Sequence, residues 1–169
     1  MNEFLNAGRE ISLSGTWKVL KADEDARRLI ADPELDDKDW LDIKVPGLWR
    51  SCNQLSDADS VLYRRHFELD QLPQGNRRWL VIDGLCYQGD VWFDGAYLGD
   101  TEGYFVEHNF EITQATTLPN KHLLAIEANC ETPSDRTNKR NITGVLQHSD
   151  SLNQDLNPGG LWRDIRIEE

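Results

Sequence analysis

The sequence predicts an all-β sandwich or barrel with one short helix. Three observations carry that expectation. Short apolar or alternating runs recur along most of the chain, each closed by a Gly, Pro or Asn turn. The dipeptide Asp94-Gly95 sits between two such runs and marks a two-residue hairpin. Only Asp23 to Ala31 reads as helix, with its acids first and its arginines later, as the helix dipole favours.

In order along the chain, Leu13, Trp17 and Val19 alternate with polar residues after a glycine turn and predict the first strand. The helix follows, and Pro33 stops it. Asp36-Asp37-Lys38-Asp39-Trp40 reads as a solvated loop with Trp40 as its anchor; its spacing is not that of a calcium loop. A run through Ile43 ends at Val45-Pro46-Gly47. Tyr63 to Leu69 alternates. Trp79 to Ile82 is continuously apolar, as a buried central strand should be, and Asp83-Gly84 turns it. Asp90–Phe93 and Ala96–Gly99 form the two arms of the hairpin. Phe105, Phe110 and Ile112 mark a further strand region, and His122 to Ala128 another. Residues 131–157 are polar and poor in periodicity, a long excursion of the kind that is usually functional or disordered. Leu161 to Ile167 closes the chain as one clean alternation.

With 169 residues, the chain is expected to form a single domain over residues 1–169. At that size roughly 70% of the unfolded surface can be buried, so no metal or disulfide is needed. The net charge of −12 argues against nucleic acid and anionic membrane as partners. No apolar run approaches the ~20 residues of a membrane helix. The first ten residues lack the basic head and apolar centre of a secretory signal. Cys52, Cys86 and Cys130 are odd in number and without paired spacing. They read as reduced thiols filling small apolar spaces, which favours a cytoplasmic location. Asn141-Ile142-Thr143 matches a glycosylation acceptor, read here as chance.

The motifs name no chemistry of their own. There is no phosphate-cradling glycine loop and no Gly-x-Ser-x-Gly elbow. The histidines show no metal spacing with one another or with the cysteines, so no metal and no cofactor are expected. His66 and His122 read as ordinary strand residues. His148 lies on the polar excursion, where a side chain more often meets a ligand. Thirty acids supply many pairs that could flank a sugar, and their spacing singles out none.

Several segments taken together resemble a known module. They are Leu13-Ser14-Gly15-Thr16-Trp17; Trp40 with Ile43 to Trp49; Tyr63 to Phe67; Asp83-Gly84 with Tyr87; Val91 to Gly99; Glu102 to Phe105; Phe110 to Thr113; and Asn157-Pro158-Gly159-Gly160-Leu161-Trp162-Arg163-Asp164. Their order is similar to that of the N-terminal sugar-binding domain of glycoside hydrolase family 2, which includes β-galactosidases, β-mannosidases and β-glucuronidases. The likeness runs from about Ile11 to Ile167, counted in turn-delimited strands.

The resemblance implies a jelly-roll β-sandwich of the galactose-binding-domain-like kind, with Trp17, Trp79 and Trp92 in the core and Trp162 in core or interface. It implies a non-catalytic domain, with the two catalytic glutamates on a later (β/α)8 barrel preceded by an immunoglobulin-like domain. Such a barrel needs ~250 residues of its own. The sequence stops at Glu169, directly after the expected last strand, so the implied object is part of a retaining β-glycosidase. This part is expected to be inactive by itself.

For the sugar, the resemblance points to Asp155, just before the Gly-Gly segment, and to Asp57 or Asp59, just before the Tyr63 strand. His148 joins them as a contact candidate, and no residue of the chain is assigned a catalytic role. A free-standing carbohydrate-binding module is the alternative reading, and an adaptor domain without sugar affinity is a third.

Overall fold

The computed structural model describes residues 8–130 and 159–169. The chain opens with β1 (Glu10–Ser12), β2 (Gly15–Lys21), helix α1 (Glu24–Leu29) and β3 (Leu41–Val45). Two 3-10 turns, Trp49–Ser51 and Asn53–Leu55, lead into β4 (Ser60–Leu69). Then come β5 (Trp79–Ile82), β6 (Leu85–Cys86), β7 (Gln88–Phe93), β8 (Ala96–Glu102), β9 (His108–Glu111) and β10 (Asn120–Asn129). The last strands are β11 (Gly160–Leu161) and β12 (Ile165–Glu168). The helix begins where its sequence says it should: the Asp23 carboxylate caps it by accepting from the Ala26 amide at 2.8 Å.

Two sheets form a jelly-roll sandwich. One has six strands in the order β3-β2-β4-β10-β7-β8, and the other has four in the order β1-β12-β5-β9. β6 and β11 pair in a short ribbon. The alternation read from the sequence places one face of each sheet inward. Trp17, Tyr63, Phe93 and Ile126 from the larger sheet meet Leu80, Ile82 and Ile167 from the smaller one, all fully buried. The β7–β8 hairpin turns on Asp94 and Gly95, with φ of +49° and +84°, the doubly positive geometry of a type I′ turn. The Asp94 carboxyl also accepts from the Leu123 amide and faces His122 Nδ1, each at 2.7 Å, which pins the turn to β10.

Three expectations need correction. The Asp36–Trp40 loop is not simply solvated. Asp37 is nearly buried, with its Oδ2 2.8 Å from Arg64 Nε and 2.9 Å from His66 Nε2. Arg64 is fully buried, although its β4 position points away from the main core. The cause is a second small core of Ile30, Leu62 and Ala125, where α1 and this loop cover the outer face of the larger sheet.

The same layer changes the reading of the tryptophans. Trp17 and Trp49 are in the main core, but Trp92 is half-buried against the second cluster and Trp79 is half-buried on β5. The closing alternation is not one strand either. β11 pairs with β6, while β12 pairs with β1 and β5, so Trp162–Asp164 carry the chain from the ribbon to the sheet.

Of the cysteines, Cys86 and Cys130 are buried and Cys52 is half-buried, and none of the three is in a disulfide. The excursion over residues 131–157 lies outside the described residues. No helix among the described residues is long and apolar enough to cross a membrane.

Candidate functional site

One edge of the sandwich gathers both ends of the undescribed stretch. The Cys130 amide donates to Asp59 O at 2.8 Å, and the Trp49 amide donates to Gly159 O at 2.8 Å. The segment between Leu48 and Asp59 therefore lies against both Cys130 and Gly159. Arg50, nearly buried, ties it down: Nη2 donates to Cys130 O at 2.7 Å and Nη1 to Ser56 O at 3.2 Å. Its Nη2 is also 3.9 Å from Asp59 Oδ1.

Asp57 and Asp59 share this edge with exposed carboxylates. Asp57 is held by Lys21 Nζ at 2.8 Å, and that hydrogen bond keeps its carboxyl below the usual range. The structure thus brings these two candidates to the edge where Cys130 and Gly159 are fixed. Asp155 and His148 lie outside the described residues.

The paired glycines after the excursion have a packing reason. A Cβ on Gly159 would sit 2.2 Å from the Trp49 ring. Gly160 has φ of +153°, and its Cβ would meet Gly47 O at 2.3 Å. The Gly-Gly motif therefore lets β11 lie against the Pro46–Trp49 turn, and Trp49, fully buried, closes the joint with Nε1 donating to Ala58 O at 3.2 Å.

Directly after β11, an open cleft of about 710 Å³ is lined by residues from distant parts of the chain, Glu10 and Pro46 among them. Trp162, Arg163 and Asp164 come from the crossover, Asp83 from the β5–β6 turn, and Glu107 and Arg166 from beside β9 and β12. Arg166 organises the acids: Nη1 donates to Asp83 Oδ1 at 2.6 Å and Nε to Glu168 Oε1 at 2.7 Å, while Nη2 lies 3.6 Å from Glu107. Those bonds push its guanidinium, already a strong base, higher still.

Trp162 Nε1 donates to Tyr104 O at 2.9 Å, and exposed Phe105 stands edge-on to its ring at 5.2 Å. The Arg163 guanidinium lies over the same ring at 5.0 Å. The sequence reading did not single out Arg163, Arg166 or Asp83 for a site. The visible signal was the charged Arg163-Asp164 pair directly after Gly-Gly-Leu-Trp. No group of three or more His, Cys, Asp or Glu among the described residues could hold a metal.

These features define a class, an antiparallel jelly-roll module that offers a loop-bearing edge and a mixed-charge cleft. A family model described as "Glycosyl hydrolase 2 galactose-binding domain-like" matches residues 26–156, and the chain belongs to that family. Among characterised relatives it is 21% identical to a β-glucuronidase of Formosa agariphila over 88% of this chain and 16% of that protein. It is 25% identical to β-mannosidase B of Emericella nidulans over 76% of this chain and 17% of that protein. The structure of a β-glucuronidase from glycoside hydrolase family 2 superposes with a TM-score of 0.74 at 18% identity, covering 99% of this chain and 18% of that one. The Bacteroides uniformis β-glucuronidase gives 0.69 at 23% identity, over 95% of this chain and 18% of that one. The chain thus spans about a sixth of the length of these relatives.

Proposed function

We propose that this chain is the non-catalytic sugar-binding domain of a retaining enzyme that hydrolyses terminal β-glycosidic bonds in carbohydrate metabolism. The observation that carries the proposal is the family match over residues 26–156, joined to coverage of only 16% of the Formosa β-glucuronidase. In a parent enzyme, a (β/α)8 barrel preceded by an immunoglobulin-like domain would supply the two catalytic glutamates. Asp155, with Asp57, Asp59 and His148, would reach the sugar from the edge where Cys130 and Gly159 are fixed. Lys21 holds Asp57 as an ionised acceptor, which suits a contact with sugar hydroxyls. Three cysteines outside any disulfide support a cytoplasmic location.

Two assays test this. The 169-residue chain should turn over no nitrophenyl β-glucuronide, β-mannoside or β-galactoside. Saturable turnover that co-purifies with it would overturn the reading. In a parent enzyme carrying this domain, Asp155→Ala should lower kcat/KM by roughly 10–150-fold, the equivalent of one charge-assisted hydrogen bond. Unchanged kinetics would remove Asp155 from the site, and micromolar sugar binding by the isolated chain would identify a free-standing module instead.

A further inference from the structure

The cleft beside Trp162 has features that folding does not require. Arg163 is exposed, and it makes no hydrogen bond or ion pair with any described residue. Yet its guanidinium is held over the Trp162 ring, and the contact is close because Gly84 has no side chain. A Cβ at Gly84 would lie 2.9 Å from both Arg163 Cδ and Trp162 Nε1. The Trp162 ring lies under the guanidinium, and the N–H donors meet no acceptor among the described residues.

Asp164 also lines the cleft, exposed, with Oδ1 accepting from the Ser14 hydroxyl at 3.3 Å. Arg166 holds Asp83, Glu107 and Glu168, and Glu10 lines the cleft as well, so the acids of the lining outnumber its two arginines. What the cleft offers a ligand is thus a donor fork and a carboxylate edge that meet few described partners, and an apolar surface at Trp162, against which exposed Phe105 stands.

We infer that this cleft binds a neutral pyranose unit, at a site separate from the edge formed by Leu48–Asp59. This deepens the function proposed above and rests on it. A sugar ring supplies vicinal hydroxyls that both accept from Arg163 and donate to Asp164, and an apolar C–H face for the aromatic wall. An anionic ligand fits less well, since it meets Glu10, Asp83, Glu107 and Asp164. The volume lies in the range of small-ligand pockets, roughly 300–1,000 Å³. An open site with few contacts binds weakly, with Kd on the order of 1 mM or above.

The experiment titrates methyl β-glucopyranoside, β-galactopyranoside and β-mannopyranoside into the 169-residue chain, with methyl β-glucuronide as the charged probe. The readout is the Trp162 indole N–H and Gly84 amide signals by NMR. At least one neutral glycoside should give saturable shifts at both. Arg163→Ala should weaken it about 10-fold or more, and Arg163→Lys, which keeps the charge and loses the fork, should restore little. Arg28→Ala, an exposed position on α1, should leave it unchanged.

Absence of saturable shifts at up to about 50 mM sugar would overturn the inference, as would binding indifferent to Arg163 or tighter for the glucuronide. Binding lost in Asp155→Ala but kept in Arg163→Ala would overturn the cleft while leaving the sugar-binding reading intact. If no sugar binds, and Phe105→Ala and Arg163→Ala instead weaken association with a separately expressed barrel, the surface is a protein docking face.

Discussion

Replacing Asp37 by alanine tests the layered outer face of the larger sheet. Arg64 is fully buried, with Nε donating to Asp37 Oδ2 at 2.8 Å, Nη1 donating to the carbonyls of Ile30 and Asp32, and Nη2 to that of Leu35. Those carbonyls satisfy hydrogen bonds but do not cancel the charge. Removing the carboxylate leaves a buried cation uncompensated, which costs about 3–5 kcal/mol. For a chain of this size each kcal/mol moves the melting temperature by roughly 2–4 °C, so a fall of about 6–20 °C is expected.

The acid limb carries the same information. Burial pushes the Asp37 carboxyl up, but hydrogen bonds from Arg64 and His66 outweigh it and hold the group below the usual carboxylate range. Its contribution is therefore present above the unfolded carboxyl value, near 4, and is lost as pH falls through the depressed folded value. Denaturant melts of the wild type and Asp37→Ala at neutral and acid pH measure both effects. The difference should shrink as pH drops. The double variant Asp37→Leu/Arg64→Met should recover most of the loss, since an apolar pair of similar volume replaces the ions. A neutral-pH cost below about 1 kcal/mol, or an acid profile unchanged by the mutation, would refute the reasoning.

Three other outcomes are expected. Trp17→Ala should cost about 3–5 kcal/mol, and Trp92→Ala clearly less, because Trp92 is half-buried on the outer face; equal costs in equilibrium unfolding would contradict that placement. Gly159→Ala should destabilise by about 1–3 kcal/mol and shift the Trp49 fluorescence, because the new methyl enters the space of the ring. Tyr97 should ionise at about 12, raised by its hydrogen bond to Asp90, and an ultraviolet pH titration of Asp90→Asn should bring it back toward 10.

Much of the sandwich was legible in the sequence because its signals are local. Asp94-Gly95 needs only two consecutive residues with positive φ, and the turn formed where the dipeptide predicts. The apolar run at Trp79–Ile82 became an interior strand of the smaller sheet, and the Asp23 cap set the start of α1. The ordered motifs carried the family as well, and the family match bears that out.

The candidate site was legible only in part. Asp57 and Asp59 could be named from their place before a strand. Nothing nearby in sequence showed that Lys21 would hold one and Arg50 approach the other.

The sequence by itself determined the class of the fold, the hairpin, the short helix and the family. Each depends on residues within a turn or a strand of one another, or on their order along the chain. The tertiary structure decided which charges are buried and where a ligand could enter. Arg64 meets Asp37 across 27 residues, Arg166 meets Asp83 across 83, and Trp162 meets Tyr104 across 58. An alternating strand reads the same whether its outer face meets water or a second layer. Only the return of α1 and the Asp36–Trp40 loop over β4 and β10 made the outward arginine a buried one. The break between β11 and β12 likewise comes from pairing with different partners, and that break set Arg163 at the lining of a cleft.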